Sequence, residues 1–130
     1  MRSLVRFRTA DGDYAVPVEH TREVRTSSGM VPLPASAAGV AGLLQRDDEP
    51  LTVVSTLGPG RDHVLVLDAG TGPFGLLVEE VAGVVNVDDA DVGPAPAGQN
   101  GGLVTGVVNL AGVMVLLVDP ARVGAPLGAS

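Results

Sequence analysis

Residues 106–123 read GVVNLAGVMVLLVDPARV. The apolar run Gly106–Val108 breaks at Asn109-Leu110-Ala111-Gly112, a second run from Val113 to Val118 follows at once, and Asp119-Pro120 closes it. Two β-rich runs joined by a turn containing Asn and Gly predict a hairpin. The same plan is written earlier, in residues 42–57, GLLQRDDEPLTVVSTL. There a Gly and two aliphatics lead into the polar turn Arg46-Asp47-Asp48-Glu49, and Leu51–Val54 returns. Two copies of one plan predict two small β-units, an organisation that suits binding better than catalysis.

The remainder of the chain fits that reading. Its 130 residues make one domain, or two very small ones sharing a core. Hydrophobic residues are 45% of the chain but aromatics only 2% (Phe7, Tyr14 and Phe74), so the core must be aliphatic. Valine-rich short runs favour strands, because β-branching stiffens χ1 and suits a pleated surface. Eighteen Gly and ten Pro imply many turns between short elements.

Leu4, Val5 and Phe7 against Arg6 and Arg8 read as a first strand, Ala10-Asp11-Gly12-Asp13 as an Asp-Gly turn, and Tyr14–Val18 as the returning strand. A short helical turn leads to a strand at Glu23-Val24-Arg25, and Met30–Pro34 must be extended because of its prolines. Ala35–Ala41 is the expected internal helix, with Ser36 as cap. Strands are expected at His63–Asp68, which lacks strict alternation, at Phe74–Val78 and at Val81–Val87. Asp88–Gly102 reads as the longest loop, a helix is expected after Asp119, and Val123–Ser130 reads as a frayed tail. So many short strands and so little helix disfavour a doubly wound parallel sheet.

Composition also bounds function. The chain has no Cys, which excludes disulfides, Cys-ligated zinc and thiol catalysis. The start lacks an apolar signal core, and no apolar run approaches the roughly 20 residues of a spanning helix, so a cytoplasmic location without membrane insertion is expected. A net charge of -7 argues against nucleic acid and anionic membranes as partners. His20 and His63 are far apart and form no metal-ligand pattern, and Asp88-Asp89-Ala90-Asp91 lacks the loop of a calcium site. Glu79 and Glu80, adjacent on a strand, would point to opposite faces. No serine sits in a nucleophile motif. The expectation is therefore no catalytic residue, no metal and no cofactor.

The order of the pieces resembles the CheW-like domain family, from about Leu4 to Val123. Leu4-Val5-Arg6-Phe7 and Asp13-Tyr14-Ala15-Val16-Pro17-Val18 look like the family's opening hairpin. Thr21–Arg25 is similar to its V-x-E-I segment, and Val31-Pro32-Leu33-Pro34 to its I-P strand. Phe74–Val81 resembles its G-L-x-V-D-x-V stretch, and Gly106–Asp119 its closing hairpin. The resemblance implies an all-β fold of two intertwined five-stranded SH3-like β-barrels with one or two short helices. It implies a CheW-like domain over residues 1–123, made of two barrel subdomains, and a C-terminal tail over 124–130. In function it implies a non-enzymatic adaptor, with the regulatory domain of a CheA-like histidine kinase and the cytoplasmic tip of a chemoreceptor as partners. Glu23, Arg25 and Arg46 fall in segments that contact partners in the family.

The central hairpin departs from the family's G-x-x-N-L-R-G-x-x-x-P-V-x-D-L. Gln45, Arg46, Asp47, Asp48, Thr52 and Ser55 stand at the Asn, Leu, Arg, Gly, Pro and Asp positions. The nearby arginine is one position early, which on a strand moves it to the other face. Leu43, Leu44, Leu51, Val53 and Val54 keep the apolar frame. A CheW-like scaffold of a non-chemotaxis signalling or motility system therefore stays open as a second reading. A small β-barrel hydrolase or metal enzyme is a third, for which the spacing offers no polar cluster.

Overall fold

The computed structural model describes residues 1–33, 39–46, 49–70, 72–96 and 102–128. Among these residues, twelve strands form two six-stranded sheets. The first is built from β1 (Arg2–Thr9), β2 (Gly12–Pro17), β9 (Glu80–Val87), β10 (Gly93–Pro94), β11 (Val104–Leu110) and β12 (Val113–Val118), in the order β10-β11-β12-β2-β1-β9. The second holds β3 (Thr21–Thr26), β4 (Val31–Pro32), β5 (Val40–Arg46), β6 (Glu49–Val54), β7 (His63–Leu67) and β8 (Phe74–Val78), in the order β3-β7-β8-β6-β5-β4. Each sheet thus has the five long strands expected and one extra strand of two residues. The units are intertwined in sequence, because the whole second sheet is inserted between β2 and β9.

Burial follows from the period of two along each strand. Leu4, Ala15, Val87, Val108, Val115 and Leu117 form a cluster made only of first-sheet residues. Leu44, Leu51, Val53, Val64, Val66 and Leu77 form its counterpart in the second sheet. Among the described residues no other element contributes a buried residue to either, so each sheet curls over its own aliphatic core. The opposite faces meet in a third cluster, where Val5, Phe7, Tyr14, Val16 and Val118 pack with Val54, Leu57, Leu65, Leu67, Phe74, Leu76 and Val78. On β7, Val64 and Val66 serve one core while Leu65 and Leu67 serve the other. That is why His63–Asp68 shows no alternation in sequence: both faces are covered.

All three aromatics lie in the shared cluster. Phe7 and Tyr14 are register partners on β1 and β2, stacked with centroids 5.7 Å apart. The sheets are also joined through polar groups. Buried Thr9 donates its hydroxyl to the Leu57 carbonyl at 2.8 Å, and the Ala10 amide donates to the Pro59 carbonyl at 2.8 Å. The tip of the first hairpin is thereby pinned to the loop after β6.

Four local expectations are corrected. The first turn is the two-residue loop Ala10-Asp11, with Gly12 already on β2 opposite Thr9, because the Thr9 hydroxyl also accepts from the Asp11 amide at 3.1 Å and closes the turn early. Val40 and Ala41 belong to β5 rather than a helix, with Val40 paired to Val54; Gly39 is a turn residue with φ 76°, and the rest of the expected helix, residues 35–38, lies outside the described residues. The stretch expected as one loop from Asp88 holds a 3-10 turn, Asp89–Asp91, and β10. The Asp88 carboxylate caps that turn by accepting from the Ala90 amide at 3.0 Å.

The fourth is the tail, where α1 runs Pro120–Gly128. Pro120 suits a first helical position, and the Asp119 carboxylate caps the end by accepting from the Ala121 amide at 3.0 Å. Val123 joins the shared core, and a Cβ on Gly124 would stand 2.7 Å from the Phe74 ring. The close approach of helix to ring needs that glycine.

The β11–β12 hairpin that first declared the fold has the two-residue loop Ala111-Gly112, both residues with positive φ (52° and 86°). That is the twist a tight hairpin wants. The Asn109 side chain accepts from the Gly112 amide at 2.9 Å, so asparagine supports this turn from outside while alanine occupies the strained position.

Two outcomes are expected. Ala111→Asn should raise stability by about 0.5–1 kcal/mol, because Asn tolerates the left-handed region better than Ala. Denaturant titration at constant m-value checks this. Phe7→Ala should cost about 3–5 kcal/mol. Because one cluster joins both sheets, wild type should unfold calorimetrically in a single transition, with matching calorimetric and van't Hoff enthalpies.

Candidate functional site

One edge of the second sheet is β3, which among the described residues is hydrogen-bonded on one side, to β7. Its residues Arg22, Glu23, Val24 and Thr26 are exposed. A bulge between Thr21 and Glu23 precedes a regular ladder in which Glu23, Val24, Arg25 and Thr26 face Val66, Leu65, Val64 and His63. Glu23 and Arg25 therefore share one face, and their side chains meet at 3.4 Å. Val24 projects to the other face and is 47% exposed, high for a valine beside a core strand. A charged pair flanking an exposed aliphatic on a free strand edge can align a partner strand and contribute apolar contact.

The sequence reading grouped Arg46 with Glu23 and Arg25. The structure brings the latter two together. Arg46 ends β5 opposite Glu49, and β7, β8 and β6 lie between β3 and β5 in the sheet. The Arg46 side chain and the turn residues Asp47 and Asp48 lie outside the described residues.

Further exposed apolar surface sits at the tip of the last hairpin. Val113 and Met114 are exposed, and Met114 and Leu116 line a cleft of about 300 Å³ with Asp11, Gly12, Asp13 and Pro96. Sequence reasoning missed this patch. The run Val113–Val118 is apolar throughout, and only the end of the ladder decides that its first two residues have no cover.

The polar residues weighed for catalysis lie in the following surroundings. The His63 ring Nδ1 lies 3.1 Å from the Glu79 carbonyl. His20, expected at the surface, is half-buried with its Nδ1 enclosed, at the end of the 3-10 turn Val18–His20. Its carbonyl accepts from the Asp68 amide at 2.8 Å. Glu80 pairs with Arg8 at 3.0 Å across β9 and β1. Among the described residues no three His, Asp or Glu side chains group as metal ligands. No described helix is long and apolar enough to cross a membrane.

One titrating group stands out. The Arg2 guanidinium hydrogen-bonded to Asp89 holds its carboxyl below the ordinary 3.8. A lowered folded-state value makes the pair's contribution present above pH 4 or so and lost as pH falls through the folded value. Arg2→Ala should move the Asp89 midpoint up toward 3.8, followed by carboxyl NMR, and the stability difference between wild type and variant should shrink as pH falls below 3.8 and through the folded value.

The comparisons with known proteins agree with this architecture. The family model for the CheW-like domain matches residues 3–125. A chemotaxis protein CheW of Rhizobium meliloti (strain 1021) is 28% identical over 130 residues, covering 91% of this chain and 84% of that protein. In fold, the chain is similar to the scaffolding protein TtCheW from Thermoanaerobacter tengcongensis, with a TM-score of 0.82 at 16% identity, over 94% of this chain and 86% of that one. With two curled sheets, one inserted in the other, and a family match over nearly its whole length, the chain belongs to the CheW-like domain family.

Proposed function

We propose that this protein is a non-enzymatic scaffold of chemotaxis signalling, working in the cytoplasm to couple a chemoreceptor's cytoplasmic tip to the regulatory domain of a CheA-like histidine kinase. The match to the CheW-like domain across residues 3–125 carries this reading. The free β3 edge, with Glu23 and Arg25 beside exposed Val24, suits such a role. An aliphatic edge supplies affinity, while flanking charges set register and partner choice. Interfaces of this size are modest, and arrays of receptors and kinases would multiply them by multivalency.

The departure in the β5–β6 hairpin favours a second reading. Gln45, Arg46 and Asp47 replace the family's Asn-Leu-Arg there, which fits a CheW-like scaffold of another signalling or motility system. Affinity capture with the CheA-like kinase of the same organism separates the two. Recovery of the kinase supports coupling, and its absence supports the alternative.

The residue-level reading is tested by titration calorimetry against the kinase's regulatory domain. Glu23→Arg should weaken binding by about 2 kcal/mol, as for a central contact, and Arg46→Ala by about 1 kcal/mol or less, as for a rim contact. Melting temperatures should stay within a few degrees of wild type, since exposed strand substitutions cost little. Unchanged affinity in both variants would move the interface elsewhere.

A further inference from the structure

We infer that β3 is also a self-pairing edge: it joins the β3 strand of a second copy of this chain, antiparallel, with the two-fold axis at Val24. The inference does not rest on the scaffold reading, since its test contains only this chain.

The backbone has the required phase. Beyond β3, the Ser27 amide donates to the Asp62 carbonyl at 3.1 Å, and before it the Asp68 amide donates to the His20 carbonyl at 2.8 Å. Bonded and non-bonded pairs alternate in an antiparallel ladder. Counting from Ser27–Asp62, the bonded pairs are Arg25–Val64 and Glu23–Val66, and the non-bonded ones Thr26–His63 and Val24–Leu65. The N–H and C=O of Val24 and Thr26 thus point away from β7, to the open edge. A second β3 centred on Val24 meets Val24 with Val24 as a bonded pair.

The side chains are self-complementary in that register. Glu23 of each copy lies opposite Arg25 of the other, on one face, and Arg22 lies opposite Thr26 on the other face. Two Glu–Arg pairs form across the axis and no like charges meet. The exposed Val24 side chains come together at the centre. Charges on an edge strand usually block self-association, but here their order, negative–apolar–positive, reads as its own complement in reverse.

The other edges are unsuited. β4 and β10 have two residues each and contain Pro32 and Pro94. β9 carries a bulge in mid-strand, where Arg6 faces Gly83 and Phe7 faces Val81. Beyond its bulge β9 keeps a regular proline-free stretch, Gly83–Val87, but it carries no charged residue to set a register, whereas β3 from Glu23 to Thr26 carries one of each sign. A contact this small is expected to be weak, with Kd on the order of 100 µM.

Sedimentation velocity from about 10 to 500 µM, at about 0.15 M salt to screen the net charge, tests it. Wild type should shift from monomer to dimer across that range. Glu23→Arg and Arg25→Glu, each alone, should associate at least tenfold more weakly, because like charges then face each other. Their equimolar mixture should recover association, since each variant complements the other. Val24→Pro removes the central outward N–H without touching the β7 ladder and should be monomeric, with circular dichroism unchanged. The inference is overturned by a monomeric wild type over the whole range, by single variants that associate as wild type does, or by a mixture no stronger than its components.

Discussion

Everything in this molecule hangs on the aliphatic interface between the outer faces of its two sheets. Neither curled sheet is large enough to be secure alone, because a small domain buries too little of its surface. Packing them outside to outside gives the central strands two covered faces, so β7 and β8 are almost wholly buried. All three aromatic residues are spent there, with Phe7 stacked on Tyr14 from one sheet and Phe74 facing them from the other. The terminal helix completes the same cluster through Val123 and is held close to Phe74 by Gly124.

The chain's path reinforces that interface. It leaves the first sheet after β2, builds the whole second sheet, and returns at β9, so each sheet is tied at both ends of the insertion. Thr9, the buried polar residue at the junction, links the first hairpin to the loop after β6. A frame fixed in this way leaves strand edges and hairpin tips as the surfaces where chemistry can vary. β3 is the edge with the clearest pattern, two opposite charges around an exposed valine. Partner recognition and self-pairing would compete for the same row of backbone groups, which links assembly state to signalling in simple terms of mass action.

Much of this was legible in the residues. The hairpins at Gly42–Leu57 and Gly106–Val118 and the strand containing Glu23-Val24-Arg25 follow from apolar runs set between turn residues. So does the family, because six short motifs occur in the right order, while five strands per unit followed only from the resemblance to the family. Errors collected where local propensity met a tertiary partner. Val40 and Ala41 look helical but pair with β6, and residues 124–128 look frayed but continue a helix that packs on Phe74.

The sequence by itself determined the class of fold and the absence of a catalytic motif, because strand periodicity, turn residues and composition are local properties. Only the tertiary structure decided which of two apolar faces belongs to which core, since period-two patterning vanishes when both faces are buried. It alone decided that β3 is an edge, that Glu23 and Arg25 meet, and that Val24 and Met114 stay uncovered. Those facts depend on which strands lie side by side, and strand neighbours are chosen by long-range packing that no local run of residues encodes.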